Sequence, residues 1–381
     1  MESPRVVVLV NGSREGGAAV RARGLFDPLR NRLDIVYSHR DAGRVRAFRA
    51  FVAQIHDLRP MLVYVVDVGV ANAGAAITAR LLLRTPFVVD TGDLAYELAR
   101  STGRHGYVGR GIVRVVEGLA LRLACAIVVR GTYHKEFLER AGRRSVHLIR
   151  DGVDTRSRPR GDGALRRKLG VADAVCVGMM GSLRWNRRRR VCYGWDVVEA
   201  MALLEPELPV RAVVIGDGDG LPYLRQRARE LGVSDRIRFV GRIPYADVPG
   251  YLNVFDVAVS TQTNDRVGRV RTTGKLPEYM AAGCYVLATD VGEARLLLPP
   301  EMRLPYAGSS DAEHPRRLAN RIAEIAQTEP ERLREAAVEL ITRARDELDY
   351  QELSVRLRNV LATILERETG ARSKIALRGH A

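Results

Sequence analysis

Lys275 and Glu278 stand in the run Gly274-Lys-Leu-Pro-Glu-Tyr-Met-Ala-Ala-Gly283. A lysine three residues before a glutamate lies on the same side of a helix's first turn. Gly274, just ahead of that turn, lets phosphates approach the free backbone N–H groups of a helix start. An ammonium and amide donors suit a diphosphate, and a carboxylate suits ribose hydroxyls. The run lies between strand-like stretches at 257–262 and 285–288, so these groups are expected at a strand-to-helix turn.

Other segments offer partners for such a ligand. Asn11-Gly-Ser-Arg-Glu-Gly-Gly-Ala18 is a glycine-rich βα loop, either a phosphate or sugar cradle or an ordinary tight turn. It has neither the G-x-G-x-x-G spacing nor a Walker lysine. Gly181-Ser-Leu-Arg184 follows a strand, and the Arg184 guanidinium could meet a diphosphate bidentately. The arginines 187–190 read either as a solvated loop or, with Trp185 and Tyr193, as an RNA-binding one, though no RRM, KH or OB signature accompanies them. Gly216-Asp-Gly-Asp-Gly220 contains Asp-x-Asp, but it closes a βα turn, where such residues are ordinary, and no metal site is expected. Asp90, Asp93 and Glu97 could orient a hydroxyl acceptor; the competing reading makes Asp93 a helix N-cap and Glu97 an exposed side chain. His105 is the one histidine near the presumed site. No Ser-His-Asp or H-E-x-x-H arrangement can be defended.

These loops need a scaffold. Short apolar runs at 5–10, 34–37, 61–66, 87–90, 126–129 and 146–149 alternate with amphipathic patterns at 18–32, 45–58, 72–83, 109–123 and 132–141. The alternation restarts at 174 and continues to 288; from 314 to about 368 the chain reads as helix. The expected fold class is α/β: two Rossmann-like doubly wound domains facing an interdomain cleft, each presenting the carboxyl ends of its strands. The expected domains are 1–154 and 155–345, with a helix at 346–381 crossing back to the first. The glycines and proline of 151–163 read as a linker, and 151–159 as a hinge.

The 381 residues carry 46% hydrophobic side chains and a net charge of +16. Nearly all the positive charge is arginine, and the excess of base over acid favours polyanionic partners. The most apolar stretch, 112–129, is broken by Arg114, Glu117 and Arg122, too often for a membrane span. The chain enters its first strand without a signal-peptide pattern. Cys125, Cys176, Cys192 and Cys284 are scattered, which fits a reducing cytoplasm.

Taken together, the motifs resemble the retaining GT-B glycosyltransferases of family 4. Asp151-Gly-Val-Asp154 resembles the family's N-G-V-D hinge, and Gly181-Ser-Leu is similar to its G-x-L donor loop. Val214-Ile-Gly-Asp-Gly218, Arg238-Phe-Val-Gly-Arg242, Val248-Pro-Gly-Tyr-Leu252 and the Lys275 run follow in the family's order. The resemblance implies that Arg184 and Lys275 bind a donor diphosphate and Glu278 the ribose. It implies that Gly16, Gly17 and Gly274 let the donor approach, and that Asp93 is the aspartate of the family's catalytic loop. Asp93, Arg184 and Lys275 are thus the candidate catalytic residues. Three departures stand out. Val270 replaces the first of the usual two glutamates, Gly92 the catalytic-loop histidine, and Tyr193 the lysine usual before Gly194, with Arg189 or Arg190 as stand-ins.

The implied function is retaining, metal-independent transfer of a sugar from a nucleotide-diphosphate sugar to an acceptor hydroxyl, with no cofactor. The acceptor would be a lipid-linked glycan of the cell envelope or a small natural product. The basic surface adds an anionic membrane as partner, on the inner face of the membrane. A sugar-nucleotide epimerase or phosphorylase of the same architecture, or a non-enzymatic nucleic-acid binder, are the alternatives; nucleic acid is not the expected partner.

Overall fold

The computed structural model describes residues 3–103, 106–156, 163–272, 274–328 and 330–369. His105 and residues 157–162 of the expected linker lie outside them. Two compact units emerge. Among the described residues, the first holds the chain up to Asp154, the short piece Val270–Thr272 and the chain from Leu348 on; the second holds Thr155–Arg269 and Thr273–Glu347.

The first unit runs β1 (Arg5–Val10), α1 (Gly17–Phe26), β2 (Asp34–His39), α2 (Arg44–Leu58), β3 (Leu62–Val66), α3 (Val70–Leu83), β4 (Phe87–Thr91), α4 (Ala95–Thr102), α5 (Tyr107–Leu123), β5 (Ala126–Val129), α6 (Thr132–Arg140) and β6 (Val146–Leu148). Its strands form one parallel sheet in the order β2-β1-β3-β4-β5-β6. Successive side chains of a strand point to opposite faces. On β1, Val6, Val8 and Val10 accordingly enter one core layer while Val7 and Leu9 enter the other. Both faces are covered, so the strands read as continuous apolar runs. The helix expected at 18–32 is shorter: Pro28 sits in a 3-10 turn, Asp27–Leu29, that ends α1. α4 was not apparent from the sequence.

The second unit runs α7 (Ala164–Leu169), β7 (Val175–Met180), α8 (Trp195–Leu203), β8 (Val210–Ile215), α9 (Leu221–Glu230), β9 (Ile237–Gly241), α10 (Val248–Leu252), β10 (Val257–Ser260), α11 (Arg266–Val270), α12 (Lys275–Ala281), β11 (Tyr285–Thr289), α13 (Ala294–Leu297), β12 (Arg303–Leu304), α14 (His314–Ala326) and α15 (Pro330–Leu348). Its parallel sheet has the order β12-β11-β10-β7-β8-β9. The chain's last described helix, α16 (Tyr350–Thr369), packs on α1 in the first unit, where Leu353, Leu357, Leu361 and Leu365 are fully buried. Gly24 gives it room: a Cβ there would lie 2.5 Å from the Tyr350 ring.

Each sheet reverses the direction of its connections once. In the first unit β1 has β2 on one side and β3 on the other; in the second, β7 lies between β8 and β10. At such a switch point the loops at the strands' carboxyl ends part and leave a crevice, where open α/β sheets take their ligands. Among the described residues, no helix is long and apolar enough to cross a membrane.

Candidate functional site

In the second unit, the loops after β7 and β10 supply the predicted residues. The loop after β7 is fixed by main-chain bonds to the glycine turn after β8. Gly181 N–H donates to Ile215 O (2.9 Å), Leu183 N–H to Asp217 O (3.0 Å), and Gly220 N–H to Leu183 O (2.8 Å). The two segments touch so closely that a Cβ on Gly216 (φ +136°) would lie 1.8 Å from Gly181 O. Gly218 (φ +156°) would place one 2.5 Å from Leu183 O. Only glycine combines that backbone with that approach. Asp219 accepts the Trp185 N–H at 2.8 Å, and Asp217 bonds the next N–H of its own turn. The Asp-x-Asp pair therefore builds the loop, and among the described residues no group of three or more His, Cys, Asp or Glu could hold a metal.

Lys275 begins α12 and reaches this loop. Its Nζ stands 3.6 Å from the centre of the Tyr193 ring, a cation–π contact. A Cβ on Gly181 would lie 2.7 Å from Lys275 Cε and 2.9 Å from Tyr193 Cδ1, so the absent side chain at 181 is what admits both. Tyr193, the residue found where the resemblance leads one to expect lysine, also donates its hydroxyl to Val259 O of β10 (3.3 Å). Lys275, Tyr193 and Gly181 thus meet at the carboxyl ends of β7 and β10. Gly274 caps α12 without a side-chain bond. Glu278, one turn on, is buried, and one carboxylate oxygen accepts the Tyr245 hydroxyl at 2.6 Å. Arg184 is exposed on the loop that carries Gly181.

The arginine run is only partly a solvated loop. Asn186 and Val191 form an antiparallel bridge, and Arg189 donates to Asp265 at 2.8 Å. Burial would raise the Asp265 carboxyl, but the Gly268 N–H and Arg189 hold it below the usual range. Trp185 stacks on Tyr223 (4.1 Å) and lies against Trp195 (5.8 Å). The RNA-loop reading needs that ring and Tyr193 as stacking platforms; they are engaged within the unit.

In the first unit, Gly16 caps α1 and Gly17 is its exposed first residue, with open space where a Cβ would stand. They end the loop after β1, at that sheet's switch point. Asp93 follows β4, and its Oδ1 lies 3.3 Å from Arg271 Nε. The N-cap reading of Asp93 fails: the cap position is Leu94, and Ala95 and Tyr96 donate their N–H groups to Glu117 of α5 at 2.5 and 3.0 Å. Burial keeps the Glu117 carboxyl above the ordinary range despite these bonds. Glu97 is half-buried rather than exposed.

Asp90 also departs from its expected role. It is fully buried and holds Arg21 through both oxygens (3.0 and 2.9 Å), the Tyr64 hydroxyl (2.8 Å) and Arg130 Nε (3.2 Å). Arg130 also pairs with Asp67 and lies 3.7 Å from Asp151, whose other oxygen accepts the Thr272 hydroxyl at 2.8 Å. Burial would lower the Arg130 pKa; Asp67, Asp151 and Asp90 instead hold it well above the ordinary value. Such a carboxylate ties loops together and cannot orient an acceptor. The network explains a departure too: a Cβ at Gly92 would lie 2.8 Å from Arg130 Cδ, so Arg130 fills the space beside that position. Arg130, Glu117 and Tyr245 were missed. A charged residue directly after the buried run 126–129 was the available signal for the first.

Both units share their architecture with solved proteins. Anabaena HepE, solved with UDP-glucose, superposes with a TM-score of 0.76 at 19% identity, covering 94% of this chain and 99% of that one. Sucrose-phosphate synthase of Thermosynechococcus elongatus does so with a TM-score of 0.76 at 17% identity, covering 96% and 100%. The fold is that of the GT-B glycosyltransferases. Residues 174–328 match the model of the family described as Glycosyl transferases group 1. That match falls almost entirely within the second unit.

Curated relatives cover less. The 2-deoxystreptamine glucosyltransferase of Streptomyces kanamyceticus is 26% identical over 191 residues, 48% of this chain and 46% of that protein. The D-inositol 3-phosphate glycosyltransferase of Corynebacterium urealyticum is 30% identical over 135 residues, 33% of this chain and 30% of that protein. The chain spans less than half the length of either.

Proposed function

We propose that the protein is a retaining, metal-independent glycosyltransferase of family 4 that moves a sugar from a nucleotide-diphosphate sugar to an acceptor hydroxyl. The observation that carries this is the meeting of Lys275, Tyr193 and Gly181 at the switch point of the second unit's sheet. In the reaction the bond from the sugar's anomeric carbon to the diphosphate breaks and one to the acceptor oxygen forms on the same face. The departing phosphate oxygen takes the acceptor proton, so no separate base is needed. Charge gathers on the diphosphate as it leaves. Lys275 and Arg184 supply the cations that stabilise it, a role otherwise open to a metal ion.

Glu278 is assigned to the ribose. Its carboxylate already accepts one hydroxyl, that of Tyr245, which is the kind of bond a ribose would offer. Tyr245 is 40% exposed and is the side chain that must swing aside to admit the ribose. Gly16, Gly17 and Gly274 are assigned to donor approach, and Asp93 to the acceptor hydroxyl. UDP-glucose is the first donor to test, because a protein of the same fold was solved with it. For the acceptor we propose a glycan or glycolipid precursor of the cell envelope, with the enzyme on the cytoplasmic face of the membrane. The positive net charge and the free cysteines support that placement.

Lys275→Ala tests the assignment. Turnover of the nucleotide sugar should fall by about 100-fold or more, the usual cost of removing one group that stabilises developing charge. Unchanged turnover refutes it.

A further inference from the structure

The arginine run at 187–190 folds into a closed turn. Asn186 Oδ1 accepts the N–H groups of Arg188 and Arg189, both at 3.1 Å, and Asn186 O accepts that of Arg190 at 2.8 Å. The turn belongs to the loop after β7. From it the Arg189 side chain crosses to the loop after β10 and donates to Asp265 Oδ2 at 2.8 Å. The two side chains are 24% and 26% exposed. The other Asp265 oxygen accepts the Thr263 hydroxyl at 3.0 Å and the Gly268 N–H at 2.9 Å, so its own loop also holds the carboxylate. β7 and β10 are the neighbours between which this sheet's connections change direction. The pair therefore joins the two loops that flank the crevice.

On the donor-site reading given above, we propose that Arg189 and Asp265 are positioning residues, a clasp between the loops after β7 and β10 that sets the place of the donor's sugar. The sheet order β12-β11-β10-β7-β8-β9 ranks the loops along the edge. Tyr245, bonded to the Glu278 carboxylate assigned to the ribose, follows β9. The loop after β10 is tied the other way. Asn264 N–H donates to Gly308 O at 2.7 Å and its side-chain amide to Tyr306 O at 3.1 Å, both in the segment after β12. In a nucleotide-diphosphate sugar the diphosphate stands between ribose and sugar. With the ribose toward β9 and the diphosphate at Lys275, the sugar falls toward β10 and β12, where Arg189 meets Asp265. The diphosphate's seat is built without this pair. Gly181 N–H is held by Ile215 O, and Lys275 lies over the Tyr193 ring, whose hydroxyl bonds Val259 O. Arg189 then is not the stand-in for the lysine usual before Gly194, because its guanidinium answers an aspartate. Each Asp265 oxygen already accepts a bond from the protein, so the pair acts on the crevice walls and through them on the sugar.

The full chain is titrated with UDP and, separately, with UDP-glucose, as wild type, Arg189→Met and Arg189→Lys. Methionine keeps an apolar stem and removes the charge. Arg189→Met should weaken UDP-glucose binding about tenfold and UDP binding less than about twofold, because only the sugar has lost its place. Arg189→Lys should recover UDP-glucose affinity to within about threefold of the wild type, since the contact is a single N–H···O bond that an ammonium can also make. Arg189→Met with Asp265→Asn should bind UDP-glucose no more weakly than Arg189→Met alone, as two residues that act through one contact are not additive. Thermal unfolding of the same samples separates a misplaced sugar from a lost fold. Parallel loss of UDP and UDP-glucose in Arg189→Met, with folding intact, overturns the proposal, because Arg189 would then be a diphosphate ligand. A wild type that binds both nucleotides, with Arg189→Met binding them equally well, sinks the clasp and keeps the transferase reading. A wild type that binds neither sinks both.

Discussion

The two units place loops at the same kind of sheet edge by different physics. In the first unit, charge does it: Arg21, Arg130, Asp90, Asp67 and Asp151 form a buried network that links the ends of several strands. In the second, backbone does it: the loop after β7 and the turn after β8 approach so closely that glycine is required. A charge network is expensive to break because each lost partner strands a buried ion. A glycine contact is expensive to alter because no side chain fits. The difference gives the cations different work. Arg130 is consumed by structure, whereas Lys275 lies over the Tyr193 ring at the proposed diphosphate site.

The comparison can be broken at its strongest points first. Asp90→Ala strands Arg21 and Arg130 in the first unit and should cost about 3–5 kcal/mol; denaturant unfolding that loses less than about 1 kcal/mol would mean that water reaches the network. Gly216→Ala in the second unit should cost about 2–4 kcal/mol, because strain and a 1.8 Å contact with Gly181 O coincide. Its thermal transition should fall while the first unit's spectroscopic signals hold. Gly181→Ala is smaller in stability and larger in function. The atoms nearest its Cβ are the flexible end of Lys275 and the Tyr193 ring. It should cost under about 1 kcal/mol in stability yet weaken nucleotide binding about tenfold, as the lysine is pushed aside.

The smallest test concerns protons. His134 in the first unit is fully buried, and neither ring nitrogen has a hydrogen-bond partner among the described residues. Burial, then Arg130, lowers its pKa from 6.5 to about 4. The unfolded chain takes up a proton below 6.5 that the folded one refuses, so this group destabilises the protein as pH falls from 6.5 toward 4. His134→Phe should remove that decline, worth on the order of 1–3 kcal/mol. In the second unit the matching effect of His314 is opposed by an aspartate. Burial raises Asp196 to about 6, which works in the opposite direction over the same range, while His314 is lowered to about 4. Unfolding at pH 7 and pH 5, for wild type and His134→Phe, checks the sign.

The α/β class was legible because buried parallel strands are unbroken apolar runs, as at Val6–Val10 and Ala126–Val129. The loops carrying Gly181, Lys275 and Glu278 were legible because glycine and charge mark strand ends. What was not legible depends on residues far apart in the chain. Arg21 and Asp90 are 69 positions apart, and nothing local announces their pairing. The use of Tyr193 as a seat for Lys275, and of Arg130 beside Gly92, likewise follows from packing. Asp90 and Asp93 look alike in sequence as acids near the end of β4; the first lies within the strand and is buried, and the second follows it at the edge.

The most direct measurement is a calorimetric titration of UDP into the wild type and into Lys275→Ala. Saturable binding by the wild type, weakened about tenfold or more in the variant, is the predicted result. Equal affinity in the two proteins would contradict the assignment of the second unit's switch point as the diphosphate site.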